Sequence, residues 1–444
     1  MASTSLLERL GLHRRELRAW AYYDIANSAW MTTILQAFSP AFFVPFAARG
    51  LAPDVARSRY AFATSIAIVA VGLTGPWLGA LADYEGRKKA YLGGFLALGA
   101  ALTAALFFVR EGQWLLALVL FAAGNVAITS TLAFYNALLP GIAAPAEVDR
   151  VSTAGFALGY LGGGALFALN LWMIASPATF GLADRTRAFQ VSSVMVAAWW
   201  VFFSIPLFRH VREPVPRLDP GERADESASR IALRRLVETF RELRGHRDAA
   251  WLLLGFLVYN DSVNTIIRVG TTFGDEIGLP EGPMFLAVLM IQFVGIPFSF
   301  AFGLLADRIG AKRAIYLALA VYVGITVAAY RLHTIGEYFF FAFAVAMVMG
   351  GIQALSRSLF AVLIPRHKAG EMFGFFGVFD RFGGVIGMSV YGAMLSLIGS
   401  SRPAILSLAA LFVLGGLLLS RVDVERGRRL ARAAEAAAHE AERR

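Results

Sequence analysis

The feature that most constrains this chain is a series of long apolar segments separated by short polar connections. Each segment is long enough to cross a bilayer core of roughly 30 Å as a helix that rises about 1.5 Å per residue. Hydrophobic residues make up 57% of the chain and charged residues 16%, more apolar surface than a soluble core needs. Only helices and closed barrels cross lipid, and the alternating pattern of barrel strands is absent from the sequence. The sequence therefore predicts an all-α polytopic membrane protein.

We place twelve transmembrane helices on the apolar segments. They are predicted at 20–46, 59–82, 89–109, 113–140, 151–175, 189–208, 249–272, 283–306, 313–332, 336–364, 371–397 and 402–420. Lys and Arg are concentrated in the connections that would share one side, including the short loops at 87–89 and 308–313. Basic loops remain in the cytoplasm, so both chain termini are expected there.

A polar stretch interrupts the apolar pattern in the middle of the chain. It holds Pro214, Pro216 and Pro220 among mixed charges, and a surface helix is expected at 228–244. The predicted organisation is an N-terminal six-helix bundle with its cytoplasmic lead-in at 1–208, a cytoplasmic linker at 209–248, a C-terminal six-helix bundle at 249–420 and a charged cytoplasmic tail at 421–444. The tail is rich in Ala, Arg and Glu, and is expected to form an exposed helix with a solvated charged face.

Internal repeats indicate that the two bundles are pseudo-symmetric. The segment Gly-Ala-Leu-Ala-Asp at 79–83, followed by a glycine and basic residues, recurs as Gly-Leu-Leu-Ala-Asp at 303–307. The polar pattern that begins at Asp24 recurs at Asp261, with an amide three residues later and a hydroxyl four residues later. Two homologous halves of six helices explain both repeats.

These repeats and four further segments resemble known transporters. The two Gly-x-Leu-Ala-Asp loops resemble the signature loop of the major facilitator superfamily. The segments at 23–29, 155–163, 259–261 and 353–360 resemble the vacuole effluxer family, which includes the fungal vacuolar amino-acid effluxer linked to autophagy. The resemblance implies a major facilitator fold and alternating-access transport of a small solute such as an amino acid. The composition looks bacterial, so the plasma (inner) membrane is expected rather than a vacuole.

Polar groups at span depth are candidates for a substrate or proton pathway, because ionisable groups inside a membrane generally face a bundle interior or a wet cavity. Helical spacing places Asp24, Asn27 and Ser28 on one face of the first span, and Asp261, Asn264 and Thr265 on one face of the seventh. The other candidates are Tyr160, Arg268, Gln353 and Arg357. The alternative is that these groups form structural hydrogen bonds between helices.

Two of these candidates carry more specific hypotheses. Asp261 lies near the middle of its span, so it is predicted to be the more important carboxylate and the proton carrier, with Arg268 two turns away as its partner or as a substrate ligand. Arg357 stands where the matching position in span four is the apolar Leu132. Its guanidinium suits a substrate carboxylate, and the alternative is that it fastens loops at the end of span ten.

The signature loops are predicted to act as a conformational latch. The latch residues are Asp83, Arg87 and Lys88 in one half and Asp307, Lys312 and Arg313 in the other. Each Asp is expected to bond to backbone amides or basic groups at a neighbouring helix end, and Arg87, Lys88 and Lys89 are expected to meet lipid phosphates or acids of the other half. Gly155, Gly159 and Gly163, spaced by four, are predicted to let another helix approach closely.

Several function classes do not fit the sequence. It contains no phosphate-binding loop, dinucleotide fingerprint, zinc helix or nucleophile elbow, so an enzyme and a bound cofactor are not expected. Cysteine is absent, and the net charge of +10 is spread over loops, which does not suit nucleic acid. The expected partners are a small solute, a proton and membrane lipids, and the chain is expected to be a monomer. The alternatives are a non-transporting scaffold or receptor of the same fold, or a drug or lysolipid exporter.

Overall fold

The computed structural model describes residues 6–213, 246–382, 385–398 and 401–443. Apart from one turn at Leu6–Arg9, short 3-10 turns and the short helical and π-helical segments between Trp30 and Ala47, its regular elements are α-helices of 14 residues or more. They are α1 (Arg15–Ala29), α2 (Pro53–Glu85), α3 (Lys88–Ala105), α4 (Trp114–Ile142), α5 (Val148–Ala175), α6 (Arg185–His210), α7 (Arg247–Glu276), α8 (Glu281–Ile309), α9 (Ala311–Ala329), α10 (Ile335–Leu363), α11 (Ala369–Phe382), α12 (Val385–Ile398), α13 (Ser401–Ser420) and α14 (Val424–Arg443). Helices α1–α6 form one six-span half, and α7–α13 form the other.

The prediction of twelve spans is confirmed. Among the described residues, ten helices are long and apolar enough to cross a membrane, namely α2–α10 and α13. The first span continues from α1 through π-helical turns at Trp30–Ile34 and Phe38–Ala47. The eleventh consists of α11 and α12 on either side of residues 383–384. Most of the predicted linker, including the expected surface helix at 228–244, lies outside the described residues.

Close packing of α1 against α5 depends on glycine. A Cβ added at Gly159 would lie 2.7 Å from the Ser28 hydroxyl, and one at Gly163 would lie 2.8 Å from the Ser28 Cβ. At Gly155 an added Cβ would overlap the Asp24 carboxylate. The spacing of these glycines therefore does what the sequence predicts, and it brings the polar face of α1 directly against α5.

The two halves meet at one end of the bundle, which we call the signature-loop face. This face carries the turns at Gly86 and Gly310, the α4–α5 connection and helix α14. On one side of it, the α2 backbone at Gly79 lies directly against the α11 carbonyl of Gly370. On the other side, Thr153 of α5 lies against Gly303 of α8. Direct contact between helices of opposite halves thus closes the signature-loop face.

The tail helix α14 packs on this face instead of standing free. Arg426 donates from Nε and Nη2 to the Asp248 carboxylate at 2.8 and 2.7 Å, and this hydrogen bond raises the pKa of the Arg426 guanidinium. The Arg366 backbone N–H donates to Glu435 at 2.9 Å. Gly427 and Ala431 are buried. The prediction of a helix is correct, but one of its faces is packed on the protein rather than solvated.

Candidate functional site

Asp24 lies at the centre of a buried polar cluster between the halves. Helix α1 places it opposite α5, and only 7% of its surface is exposed. The Tyr135 hydroxyl of α4 donates to Asp24 Oδ2 at 2.8 Å, and the Asn27 amide donates to Oδ1 at 3.1 Å. The predicted polar face of α1 thus exists, with Asn27 as a direct partner of the carboxylate and Ser28 facing Gly159.

Arg357 reaches this cluster from α10 in the other half. Its Nη1 and Nη2 each lie 3.4 Å from Asp24 Oδ2, and Nη1 also lies 3.4 Å from the Asn136 amide oxygen. Its Nε donates to the Ser152 hydroxyl at 2.9 Å, and Nη2 donates to the Ser152 carbonyl at 2.8 Å. The guanidinium is 4% exposed, so Arg357 and Asp24 form a buried ion pair between the halves.

Aromatic rings enclose the same guanidinium. The Arg357 Cζ lies 4.5 Å from the centroid of Phe156, 4.9 Å from that of Trp20 and 5.7 Å from that of Tyr135. Trp20 and Tyr135 stack with centroids 4.4 Å apart, and the Trp20 indole donates to the Tyr135 carbonyl at 3.0 Å. These distances suit cation–π attraction. We call the surrounding residues the Arg357 cage: Trp20, Asp24, Tyr135, Asn136, Ser152 and Phe156.

The ion pair has a chemical consequence for the joint between the halves. Two charges buried at this depth are stable while paired, whereas removing one partner of such a pair typically costs about 3–5 kcal/mol. The two halves can therefore separate at the signature-loop face only if both Asp24 and Arg357 gain new partners. A substrate group, water or a proton are the chemical options for the carboxylate.

Asp261 lies against the first turn of α12. Its carboxylate is fully buried and accepts backbone N–H groups from Ile386, at 3.2 Å, and from Gly387, both in the first turn of α12. Thr265 donates back to the Asp261 carbonyl at 2.8 Å. These contacts fix the start of α12. The side chain of the expected partner Arg268 lies outside the described set, and the proton-carrier role of Asp261 stays a prediction.

A second polar chain links α10, α7 and α11. Gln353 donates to the Asn260 amide oxygen at 3.4 Å, and Asn260 donates to Asp380 at 2.9 Å. Asn264 lies on α7, partly buried, one turn beyond Asn260. Tyr160 packs its ring against Gly295 of α8 and Gly350 of α10. Gln353 is thus part of a polar network, whereas Tyr160 fills the packed joint between the halves.

The signature aspartates lie where the latch hypothesis places them. Asp83 accepts the Glu371 backbone N–H in the first turn of α11 at 3.0 Å, and Asp307 pairs with Arg150 in the first turn of α5. Both contacts cross between the halves. Asp83 also pairs with the buried Lys88 of its own half at 2.6 Å.

Two basic residues of the latch bond within their own half. Lys88 neutralises Asp83 instead of meeting lipid or the other half, because its side chain is buried. Lys312 donates to the Ser420 and Val422 carbonyls of its own half, at 3.2 and 2.6 Å. Arg87 and Arg313 are exposed.

Sequence reasoning missed four contributors to the cage. Trp20, Tyr135, Ser152 and Phe156 look like ordinary packing residues, because aromatic and small residues are common in any membrane helix. The available signal was the asymmetry at Arg357: a charged residue deep in the bundle needs acceptors, and the nearest helices of the other half must supply them. A further contact that was missed joins Ser358 to Asp149 across the halves.

Comparison with known proteins agrees with this architecture. The sequence model of the family described as "Vacuole effluxer Atg22 like" matches residues 54–432. The MFS-type transporter YxiO of Bacillus subtilis is 32% identical over 414 residues, which cover 93% of this chain and 95% of YxiO. Autophagy-related protein 22 of Yarrowia lipolytica is 27% identical over 309 residues, which cover 63% of this chain and 51% of the fungal protein. The crystal structure of the human organic anion transporter MFSD10 superposes with a TM-score of 0.68 at 14% identity, covering 91% of this chain and 99% of MFSD10.

Twelve spans in two pseudo-symmetric halves, each with one copy of the signature loop, define an integral membrane transporter of the major facilitator superfamily. The extent of the family match and the identity to YxiO then narrow the assignment. The chain belongs to the vacuole effluxer Atg22-like family.

Proposed function

We propose that this chain is a secondary transporter that moves a small solute, such as an amino acid, by opening the joint between its halves alternately towards the two sides of the membrane. The observation that carries the proposal is the buried Asp24–Arg357 pair, which joins α1 of one half to α10 of the other. A scaffold has no need of a buried ion pair at the joint between rigid halves, because apolar packing there is often more stable.

The contacts around the pair support a gate at the signature-loop face. Arg150–Asp307, Ser358–Asp149 and the Glu371 N–H on Asp83 are all made between halves. Rocking one half against the other around a central site is how transporters built from repeats work. In this proposal the cross-half contacts form when the signature-loop face is closed and break when it opens. Asp83 and Asp307 thereby act as the latch.

Orientation, direction and energy source belong to the same proposal. The basic loops favour a cytoplasmic signature-loop face, so the closed state described here faces outwards. The family resemblance favours efflux, and the Bacillus relative favours the inner membrane of a bacterium. A proton gradient is the proposed driving force, and the protein is proposed to work as a monomer surrounded by lipid.

A reporter cysteine tests whether the face opens. Thr153 is 1% exposed, lies against Gly303 across the joint, and its hydroxyl bonds only to carbonyls of its own helix turn. Thr153→Cys in the naturally cysteine-free chain should react with a thiol reagent slowly at rest and faster when a transported solute is supplied. Ser204→Cys is the matched control, because Ser204 is equally buried within one half and bonds only to its own helix.

Transport itself is measured in proteoliposomes. Labelled amino acids should exchange across the membrane, and a proton gradient should drive accumulation in the wild-type protein. Asp261→Asn tests the predicted carrier: accumulation should fail while exchange continues. If neither exchange nor Thr153→Cys labelling occurs with any solute, the scaffold alternative replaces the transporter. Movement of labelled lysolipid in place of amino acids would assign the lysolipid exporter.

A further inference from the structure

The Arg357 cage is built entirely by one half of the molecule. Its residues come from α1, α4 and α5, whereas the guanidinium that fills it comes from α10 of the other half. The donors of Arg357 meet four acceptor atoms: Asp24 Oδ2, Asn136 Oδ1, the Ser152 hydroxyl and the Ser152 carbonyl. Every polar contact of the guanidinium in the cage is therefore with a group that accepts hydrogen bonds.

The chemistry of the cage does not depend on Arg357 being the guest. If the halves part at the signature-loop face, α10 takes Arg357 away, and the other half keeps a carboxylate, two further side-chain acceptors, a carbonyl and three aromatic faces. The Asp24 carboxylate keeps its neutral donors Tyr135 and Asn27, but a carboxylate at a desolvated site is costly without a positive partner. Aromatic faces beside it attract positive charge and gain little from a neutral or anionic group. The vacated cage is thus a ready site for a cation.

We propose that the Arg357 cage binds the cationic group of the transported solute, a guanidinium or an ammonium, and that Arg357 occupies the site as an internal competitor while the face is closed. The inference rests on the proposed function, because the cage empties only if the halves move apart. Acceptors contact all three guanidinium nitrogens, Nε, Nη1 and Nη2, which favours a guanidinium solute. The carboxylate-binding role predicted for Arg357 is replaced by this one: the arginine mimics the solute.

The test uses a matched pair of ligands on the purified full-length protein. L-Arginine and L-citrulline have almost the same shape, but citrulline carries a neutral urea in place of the guanidinium. Equilibrium binding of labelled L-arginine in detergent should be displaced by unlabelled arginine and by agmatine, which lacks the carboxylate. Displacement by citrulline should need about tenfold more ligand or worse, since cation–π and ion-pair contacts are lost.

Variants of the cage should change the affinity for arginine in opposite directions. A general structural role would weaken binding in all of them. Arg357→Gln removes the competitor, so arginine should bind at least about tenfold more tightly than to the wild-type protein. Asp24→Asn should abolish arginine binding. Phe156→Leu is made in the Arg357→Gln protein, where no competitor loses the same aromatic contact, and there it should weaken arginine binding about threefold or more. Phe202→Leu is its control, because Phe202 is 65% exposed on the outer surface of α6.

Three results would overturn the inference. Equal displacement by citrulline and arginine would show that charge is not recognised. Weaker arginine binding in a folded Arg357→Gln protein would make Arg357 a solute ligand rather than a competitor. Unchanged binding in Asp24→Asn would place the cation elsewhere, and a proton would then be the partner that replaces Arg357. If Arg357→Gln does not fold, the comparison of arginine with citrulline on the wild-type protein decides alone.

These results can be told apart from failure of the proposed function. Thr153→Cys labelling reports opening whatever the charge of the solute. Opening and exchange of neutral solutes without arginine recognition would refute the cage and leave the transporter intact. A face that never opens would refute the transporter.

Discussion

Lys89 and Lys312 do the same work in the two halves. Lys89 donates from Nζ to the Phe208 and Val211 carbonyls at 2.9 and 2.7 Å, at the end of α6. Lys312 donates to the Ser420 and Val422 carbonyls at the end of α13. Each lysine satisfies orphan carbonyls at a helix C-terminus, where a cation is also favoured by the helix dipole. The first helix turn after each signature loop is thereby fastened to the last helix of its own half.

The orientation of the chain can be read with two single cysteines, because the natural sequence has none. Ala183 is exposed in the α5–α6 connection, and Ala433 is exposed on α14. Ala183→Cys should react with an impermeant thiol reagent on intact cells, and Ala433→Cys only after lysis, since basic loops stay inside. Reversed labelling would show the opposite orientation in the membrane, with the closed signature-loop face on the outside.

The two latch aspartates should fail in different ways when neutralised. Asp83→Asn strands the buried Lys88, so the protein should lose about 3–5 kcal/mol of stability, measured by thermal or denaturant unfolding. Asp307 and Arg150 are both partly exposed, so Asp307→Asn should cost at most about 1 kcal/mol. Asp307→Asn should instead speed Thr153→Cys labelling, because its lost contact exists only across the joint.

A double-mutant cycle completes that comparison. If Asp307 acts through Arg150, then adding Arg150→Gln to Asp307→Asn should change the labelling rate no further. Additive effects would show that Asp307 works through some other group.

Adding one methyl group at Gly79 should destabilise the closed contact between the halves. An alanine at Gly79 would overlap the Gly370 carbonyl in the closed face. Gly79→Ala should disfavour the closed state by about 1–3 kcal/mol, which is the usual cost of overpacking. The rate of Thr153→Cys labelling should rise accordingly. Gly94→Ala is the control, because a Cβ there meets nothing within 4 Å. Equal labelling of the two variants would show that α2 and α11 are not tightly joined in solution.

The tail helix should come loose when one guanidinium is removed. Arg426→Gln leaves the Asp248 side chain, which is 1% exposed, without its charged partner. The Arg-rich α14 should then be cut by trypsin several-fold faster than in Arg429→Gln, which removes an equally cleavable but exposed arginine. Identical cleavage would mean that the apolar contacts of α14, such as Gly427 against Leu363, hold it without the ion pair.

Helix existence and the two-half architecture could be predicted from the sequence because they follow from apolar length and from repeats. The glycines of α5 could be predicted as well, because spacing by four marks one helix face. The detailed register of the second signature loop could not. Helix α9 begins directly after Gly310, whereas one residue separates Gly86 from the start of α3. Lys312 is therefore the second residue of its helix, as Lys89 is, and it corresponds to Lys89 rather than to Lys88.

The central site was harder to predict because its two charges come from distant parts of the chain. Helical periodicity shows which residues share a face, but not which helix of the other half that face meets. Depth along a span ranks Asp261 above Asp24, but depth carries no information about contacts with the other half. The donors to the Asp261 carboxylate are backbone N–H groups of α12, and backbone groups leave no signature in the side-chain pattern.

The glycine contact between α1 and α5 has a consequence for how a guest would be received. The face of α1 that carries Asp24 and Ser28 packs directly against Gly155 and Gly159 of α5, without intervening side chains. The two helices should therefore move together as one rigid unit. Trp20 and Asp24 on α1 thus keep their positions relative to Ser152 and Phe156 on α5 whatever the other half does. A solute that binds after Arg357 leaves would therefore find this part of the cage preorganised. Little of its binding free energy would be consumed in ordering them.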